Sequence, residues 1–397
     1  MRALCSLLLL SAGVLQVSAQ LNATFVAELI NTLDLANATL FVETIHLAGD
    51  TATGQSFLAD LNQGNKTIFA PNNDAYGKGF DNRNKSHADL GDRLMYHLLP
   101  GSIRPADIGA SPGHTVARTF LLDNQMQHLE GDQPQALVLT TVHASDLAQI
   151  QVLNQKNPVS VVHSTGYKNL VIHIIDSFLE LPPPISALSA IPSCVAAFKQ
   201  CGGLPLLEST RGVTLFAPND AAFNAAEQIV GAGGGLGLGN VTLLSIVLGN
   251  HVINGTTTYG TQLTNGARYM SASGEPLTIE INAHGTFVTS GNTTAKIVQT
   301  DILAQNGVVH VIDTVLASTN SDNTAAASAY SSAAAAAAAE ASQASRAAAA
   351  APTGVPVNAT SGASCVRAQG PSFPWTWSLS LPGGAALAGL VGAWLVV

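Results

Sequence analysis

The spacing of apolar residues changes several times along this chain, and each change predicts an element. The apolar stretch from Phe25 to Leu35 reads as a helix, and so does Cys194 to Gln200. Each is followed by a short unbroken run, Thr67–Ala70 and Thr214–Ala217, that reads as a short buried strand. Pro71 and Pro218 end those runs, and the Asn and Asp residues after them suit a turn or a helix cap. Helical spacing returns at Leu90, Leu94 and His97, and again at Leu244, Val247, Leu248 and His251, where Asn240 is placed to cap the helix. Leu277–Ile281, Thr286–Thr289 and Val308–Leu316, set between Gly, Asn and Pro turns, are predicted strands. Helices early and a meander of strands late indicate an α+β class.

The same order occurs twice. Thr67–Tyr76 (TIFAPNNDAY) returns 147 residues later as Thr214–Phe223 (TLFAPNDAAF), and Val171–Leu179 returns as Val308–Leu316 at an offset of 137. That is the size of a domain rather than of a solenoid repeat. Two tandem domains of one fold are expected, residues 20–181 and 182–318, joined at Leu181-Pro182-Pro183-Pro184, where the prolines exclude helix. From 319 to 362 the chain turns Ala- and Ser-rich, with seven consecutive alanines at Ala333–Ala339. Alanine's propensity favours a lone helix. O-glycosylated serines would instead hold an extended stalk. On either reading the segment is a spacer.

The two ends read as processing signals. Arg2, the apolar Leu4–Leu10 run and the small-residue site Val17-Ser18-Ala19 form a secretory signal peptide over residues 1–19. At the other end, Ser361-Gly362-Ala363-Ser364, a spacer and the apolar Leu379–Val397 tail with no basic residue after it have the layout of a glycosylphosphatidylinositol (GPI) attachment signal. Attachment is expected at Ser361, Gly362 or Ala363, with 363–397 removed as a propeptide. A single-pass membrane helix is the other reading of that tail.

Removing both ends leaves two cysteines, Cys194 and Cys201, in an oxidising compartment, and a disulfide between them is expected. Seven residues of unbroken helix would hold them ~10 Å apart, beyond bridging distance. The bridge therefore needs a break near Gly202-Gly203, and otherwise both are buried free thiols. Eight Asn-x-Ser/Thr sequons, at Asn22, Asn37, Asn65, Asn84, Asn240, Asn254, Asn292 and Asn358, point to a heavily glycosylated surface protein. Charged residues make up only 10% of the chain, and the processed chain carries 14 basic against 25 acidic residues. With no basic stripe, nucleic acid is not an expected partner.

Three motifs in order, each present twice, resemble the fasciclin domain, and the resemblance covers about residues 21–318. The first is T-hydrophobic-F-A-P-N-D-x-A-F, reproduced closely at Thr214–Phe223; the first copy shifts the acidic residue to Asp74 and has Tyr76 for Phe. The second, a Tyr-His motif, reads Tyr96-His97-Leu98-Leu99-Pro100-Gly101, then Asn250-His251-Val252-Ile253-Asn254-Gly255 with the Tyr lost. The third stands intact at Gly307–Asp313 and loosely at Leu170–Asp176. The resemblance implies a small β-sandwich wedge with packed helices in each domain. It also implies adhesion to surface or matrix proteins or to wall polysaccharide, often with a lipid anchor and glycans. The stalk lacks the Pro-rich glycomodules of plant arabinogalactan members, so the chain resembles a fungal surface protein.

The chemistry-bearing residues have plain structural readings. Asp74 and Asp220 suit helix capping, and His173 and His310 suit satisfied positions in apolar strands. No zinc spacing and no nucleophile elbow is present, and the Gly231–Gly235 run lacks the Lys-Ser/Thr of a phosphate loop, so neither metal, cofactor nor enzyme activity is expected. The resemblance makes Tyr96, His97 and His251 adhesion candidates, together with Asp301 and Ile302 as an Asp-Ile motif on a strand-connecting loop. Ser164 stands at Asp301's place in the first domain. The alternative function is a carrier holding a small apolar, lipid-like ligand in a cleft between sheet and helices.

Overall fold

The structure is a computed structural model, and it describes residues 24–77, 85–122, 127–144, 147–153, 155, 157–231 and 240–350. The expected signal peptide and GPI attachment signal, Asn22, Asn84, Asn358 and most of the Gly231–Gly235 run lie outside these residues. Two compact units are present, residues 1–341 with both domains and 342–397.

The first domain opens with helices α1 (24–35), α2 (Thr39–Ala48) and α3 (Ala52–Leu61). Strand β1 (Lys66–Pro71) follows, buried at all six positions, and then the single turn α4 (Asn73–Tyr76). The cap of that turn is Asn72, whose side chain accepts from the Ala75 N–H, while Asp74 lies inside the first turn. Helix α5 (His87–Tyr96), capped by Ser86, leads into β2 (Leu98–Pro100). Strands β3 (Thr115–Arg118), β4 (Ala136–Ala144), β5 (Leu147–Val152), β6 (Val159–Tyr167) and β7 (Leu170–Ile175) complete the domain.

They form one seven-stranded ladder in the order β2-β1-β7-β6-β5-β4-β3, with β1 parallel to β7 and every other pair antiparallel. The ladder is thin between β5 and β6, joined through Gln151–Ser160 and Val152–Val159. It also bends far enough that the segment after β3 meets β2, where the Phe120 N–H donates to Leu98 O at 2.9 Å. The expected wedge is thus a single folded sheet. Phe41, Phe57, Phe69, Leu90 and Leu94, all fully buried, fill the space between it and the helices. Parallel pairing at the centre explains why β1 carries no alternation: both its faces are covered.

The second domain repeats the plan. Helices α6 (Pro192–Gln200) and α7 (Leu204–Ser209) precede the wholly buried β8 (Val213–Pro218). Helix α8 (Asp220–Gly231) begins after Asn219, whose side-chain Oδ1 accepts from the Ala222 N–H; Asp220 instead accepts from the Ser193 N–H at the start of α6. Helix α9 (Val241–Gly249) is capped by Asn240 through the Thr242 and Leu243 N–H groups, as the sequence indicates. Strands β9 (Val252–Asn254), β10 (Arg268–Met270), β11 (Pro276–Asn282), β12 (Gly285–Ser290), β13 (Thr293–Ala304) and β14 (Gly307–Ile312) follow, in the order β10-β11-β12-β13-β14-β8-β9. A long helix, α10 (Asn323–Ala350), takes up the Ala-rich segment.

The expected Cys194–Cys201 disulfide is absent: both are free thiols. Helix α6 runs unbroken past Cys194 to Gln200 and Cys201 is its C-cap, so the Gly202-Gly203 turn comes too late to bring the sulfurs together. Cys201 Sγ contacts Phe198 O at 3.4 Å instead, and burial pushes both thiols up from their ordinary pKa.

Candidate functional site

Every residue expected to make adhesive contacts is buried. Tyr96, His97, His251 and Asp301 are fully buried, and Ile302 lies in the core of the second domain. The physical reason differs from case to case.

His97 and His251 occupy equivalent positions and do one job. His97 follows α5 directly and His251 stands one residue further on from α9, after its C-cap Asn250, and each turns its ring back. His97 Nδ1–H donates to Arg93 O at 2.7 Å and His251 Nδ1–H to Val247 O at 2.7 Å, which gives a last-turn carbonyl a second donor beside a backbone N–H. The far nitrogens accept backbone N–H groups from the segments after the last strands, Leu179 onto His97 Nε2 at 3.1 Å and Leu316 onto His251 Nε2 at 2.9 Å. Each imidazole therefore pins a helix end to the end of its own domain, and only the neutral ring can donate at one nitrogen while accepting at the other. Burial drives the pKa of His97 down to about 3 and that of His251 to about 4.

A second pair of histidines lies on the parallel strands. His173 Nε2–H donates to Ile103 O at 2.9 Å and its Nδ1 accepts from the Ser164 hydroxyl at 2.8 Å. His310 Nε2–H donates to Thr258 O at 2.9 Å and its Nδ1 accepts the Asp301 N–H at 3.3 Å. Burial lowers the pKa of both. The expected structural role of these two residues is what the geometry displays.

Asp301 departs furthest from expectation. It lies inside β13, at an irregularity between Gln299 and Ile302 where its backbone takes φ 60, rather than on an exposed connecting loop. Its carboxylate accepts from the Gly260 N–H at 2.7 Å and from His114 Nε2–H of the first domain at 2.6 Å. Burial alone would raise its pKa. The His114 hydrogen bond, with electrostatic attraction to the His310 ring and the Gly260 N–H behind it, outweighs that and holds the carboxyl below its usual value.

The His114–Asp301 bond belongs to a continuous seam between the domains. Arg118 donates to Tyr259 Oη at 3.1 Å and to Pro134 O at 2.9 Å, with its guanidinium 4.9 Å above the Tyr259 ring. Glu130 accepts the Thr257 N–H at 2.8 Å and its hydroxyl at 2.6 Å. Gln135 donates to Ala304 O at 3.2 Å, and the His128 N–H donates to Gln305 O at 3.0 Å. Ala136 and Val138 of the first domain pack with Tyr259, Leu303 and Val308 of the second. Sequence reasoning missed His114, Arg118, Glu130 and Tyr259, because they meet across 127 to 187 residues with no local spacing to mark them.

Among the described residues no three of His, Cys, Asp and Glu are gathered as a metal-binding group, and no helix is long and apolar enough to cross a membrane. Of the described sequons, Asn37, Asn65, Asn240 and Asn292 are exposed and Asn254 is half-buried.

Residues 37–182 and 190–318 each match the Fasciclin domain family. A fasciclin-like arabinogalactan protein of the fungus Arthroderma benhamiae is 26% identical over 65% of this chain; the match spans 60% of that protein. Fasciclin-like arabinogalactan protein elcF of Phaeosphaeria nodorum is 26% identical over 66% of this chain and 81% of its own length. Among solved structures, a FAS1 domain pair from the insect cell adhesion molecule Fasciclin I covers 71% of this chain and 97% of its own, with 17% identity and a TM-score of 0.34. With two matches that together span well over half of its length, the chain belongs to the fasciclin family and carries the domain in tandem.

Proposed function

We propose that this protein is a non-enzymatic glycoprotein of the cell surface or cell wall, secreted, GPI-anchored, and adhesive through contacts with surface proteins or wall polysaccharide. The observation that carries the reading is the tandem fasciclin match on a chain whose ends have the layout of secretion and anchoring signals. Fungal relatives named for arabinogalactan proteins support a place at the surface or wall. The exposed sequons support glycosylation.

Because the motif residues are buried, adhesive contact falls to the exterior of the domain pair and to its glycans, and the motifs serve that surface by holding it rigid. No observation favours the carrier reading over this one. The test uses cells that display the full chain. Phosphatidylinositol-specific phospholipase should release the protein and abolish the attachment that those cells gain over cells lacking it. Retention after treatment, with the Leu379–Val397 peptide still present in the mature chain, overturns the anchor. Release with attachment unchanged overturns adhesion.

A further inference from the structure

We propose that the first half of the Ala-rich helix is a clasp, docked across the junction of the two domains and holding them as one body, rather than a free stalk. The approach to the helix is fixed first. Asn250, which replaces the motif tyrosine in the second domain, donates through Nδ2 to Ser318 O at 2.9 Å and Asn320 O at 3.3 Å. The Asp322 N–H then donates to Ser273 O at 2.8 Å, and the Asp322 carboxylate caps α10 by accepting from the Thr324 and Ala325 N–H groups at 3.0 and 2.9 Å.

Along the helix itself, Ala326, Tyr330, Ala333, Ala337 and Ala341 are buried or half-buried at spacings of four, three, four and four, flanked in the first two turns by the half-buried Ala325, Ala327 and Ala329, whereas Ser328, Ser331, Ser332 and Ala334–Ala336 are exposed. From Tyr330 onward that is a single face, and it is covered. Ala337 retains only 8% of its surface.

The cover comes from both domains. A methyl added at Gly255, just past β9 of the second domain, would stand 3.2 Å from both Tyr330 and Ala333. One added at Gly131, in the Glu130–Asp132 turn of the first domain, would stand 2.6 Å from the Ala337 carbonyl oxygen. Both glycines have positive φ, 80 and 59, so the helix seats, through the Tyr330 and Ala333 side chains at Gly255 and through its backbone at Gly131, on bare left-handed turns that only glycine offers without strain. Glu130, beside Gly131, is the residue that holds Thr257, so the helix closes over the seam where the domains are already bonded.

This gives the alanines a purpose beyond helix propensity. A side chain larger than methyl at 333 or 337 props the helix off both glycines. Only the residues past the docked face remain to act as a spacer.

Hydrogen exchange on the full mature chain, read by mass spectrometry, tests the clasp. Amides of residues 328–338 should exchange at least about tenfold more slowly than in a synthetic 323–350 peptide, since docking adds protection that a lone Ala-rich helix lacks. Ala337→Arg should return them to the peptide rate and speed exchange at the Glu130–Asp132 turn and at Thr257, with β1 and β8 still protected. Ala335→Arg, on the exposed face, should change neither region. Peptide-like exchange in the unsubstituted chain overturns the proposal, and that comparison needs no variant to fold. So does an Ala337→Arg variant that exchanges as the parent does, or an Ala335→Arg variant that loosens the helix equally.

Discussion

The two domains share their scaffold almost position for position and differ at residues that face something outside their own fold. His97 and His251 make the same pair of backbone bonds, and His173 and His310 hold equivalent places on the parallel strands. Where the copies diverge, the residue has been redirected. Ser164 answers His173 within the first domain, but its counterpart Asp301 reaches His114 in the neighbouring domain. Tyr96 stays local, its hydroxyl donating to Ala136 O at 3.1 Å, whereas Asn250 anchors the chain leading into the clasp. Duplication kept the groups that satisfy buried backbone and freed the others to join the copies. A buried N–H or C=O left unpaired costs stability in any copy, whereas a domain-to-domain contact has no counterpart in a single domain.

Asp301→Ala should break this comparison hardest. It strips a buried carboxylate from His114 and Gly260 and leaves a left-handed residue without the side chain that tolerates it, so a loss of about 3–5 kcal/mol is expected. Ser164→Ala should cost about 1 kcal/mol, the worth of one hydrogen bond. Urea unfolding of both variants checks the ratio, and equal losses would mean that the seam adds nothing to the second domain.

Acid should act on both domains alike. Because the folded-state pKa values of His97 and His251 lie below the unfolded value, their contribution is fully present above about pH 6.5 and is lost as the pH falls from there toward about 3 for His97 and about 4 for His251. At pH 5 the loss is about 2 kcal/mol for each ring. Asp301, held low, gives up its own share only below the ordinary carboxylate range. Thermal midpoints at pH 7.5 and pH 5 should therefore fall together for the two domains. His251→Asn should lower stability at pH 7.5 but flatten the pH slope of the second domain only. A slope unchanged by that substitution would place the titration elsewhere.

The smallest expected effect concerns cysteine. The first domain has none and the second has both, so a disulfide would make the second selectively sensitive to reductant. With free thiols, reductant should leave both unfolding midpoints within about 0.5 kcal/mol of their starting values. A selective fall in the second domain would restore the bridge.

By itself the sequence determined the elements, their order, the duplication and the family, because these depend on local periodicity and on motifs a few residues long. The runs Thr67–Ala70 and Thr214–Ala217 read as short buried strands, bounded by Pro71 and Pro218, and Asn240 reads as a cap from its place before Leu244, Val247 and Leu248. Tertiary structure alone decided which way the motif residues face. Asp301-Ile302-Leu303 is expected on an exposed connecting loop from the family's Asp-Ile motif, and it is buried because His114, 187 residues away, supplies the partner that makes burying a carboxylate tolerable. The alanine run carried even less information. A row of identical methyls has no periodicity, so its inner face exists only where Gly131 and Gly255 leave room for the helix to seat, and that room is made by two turns drawn from different domains.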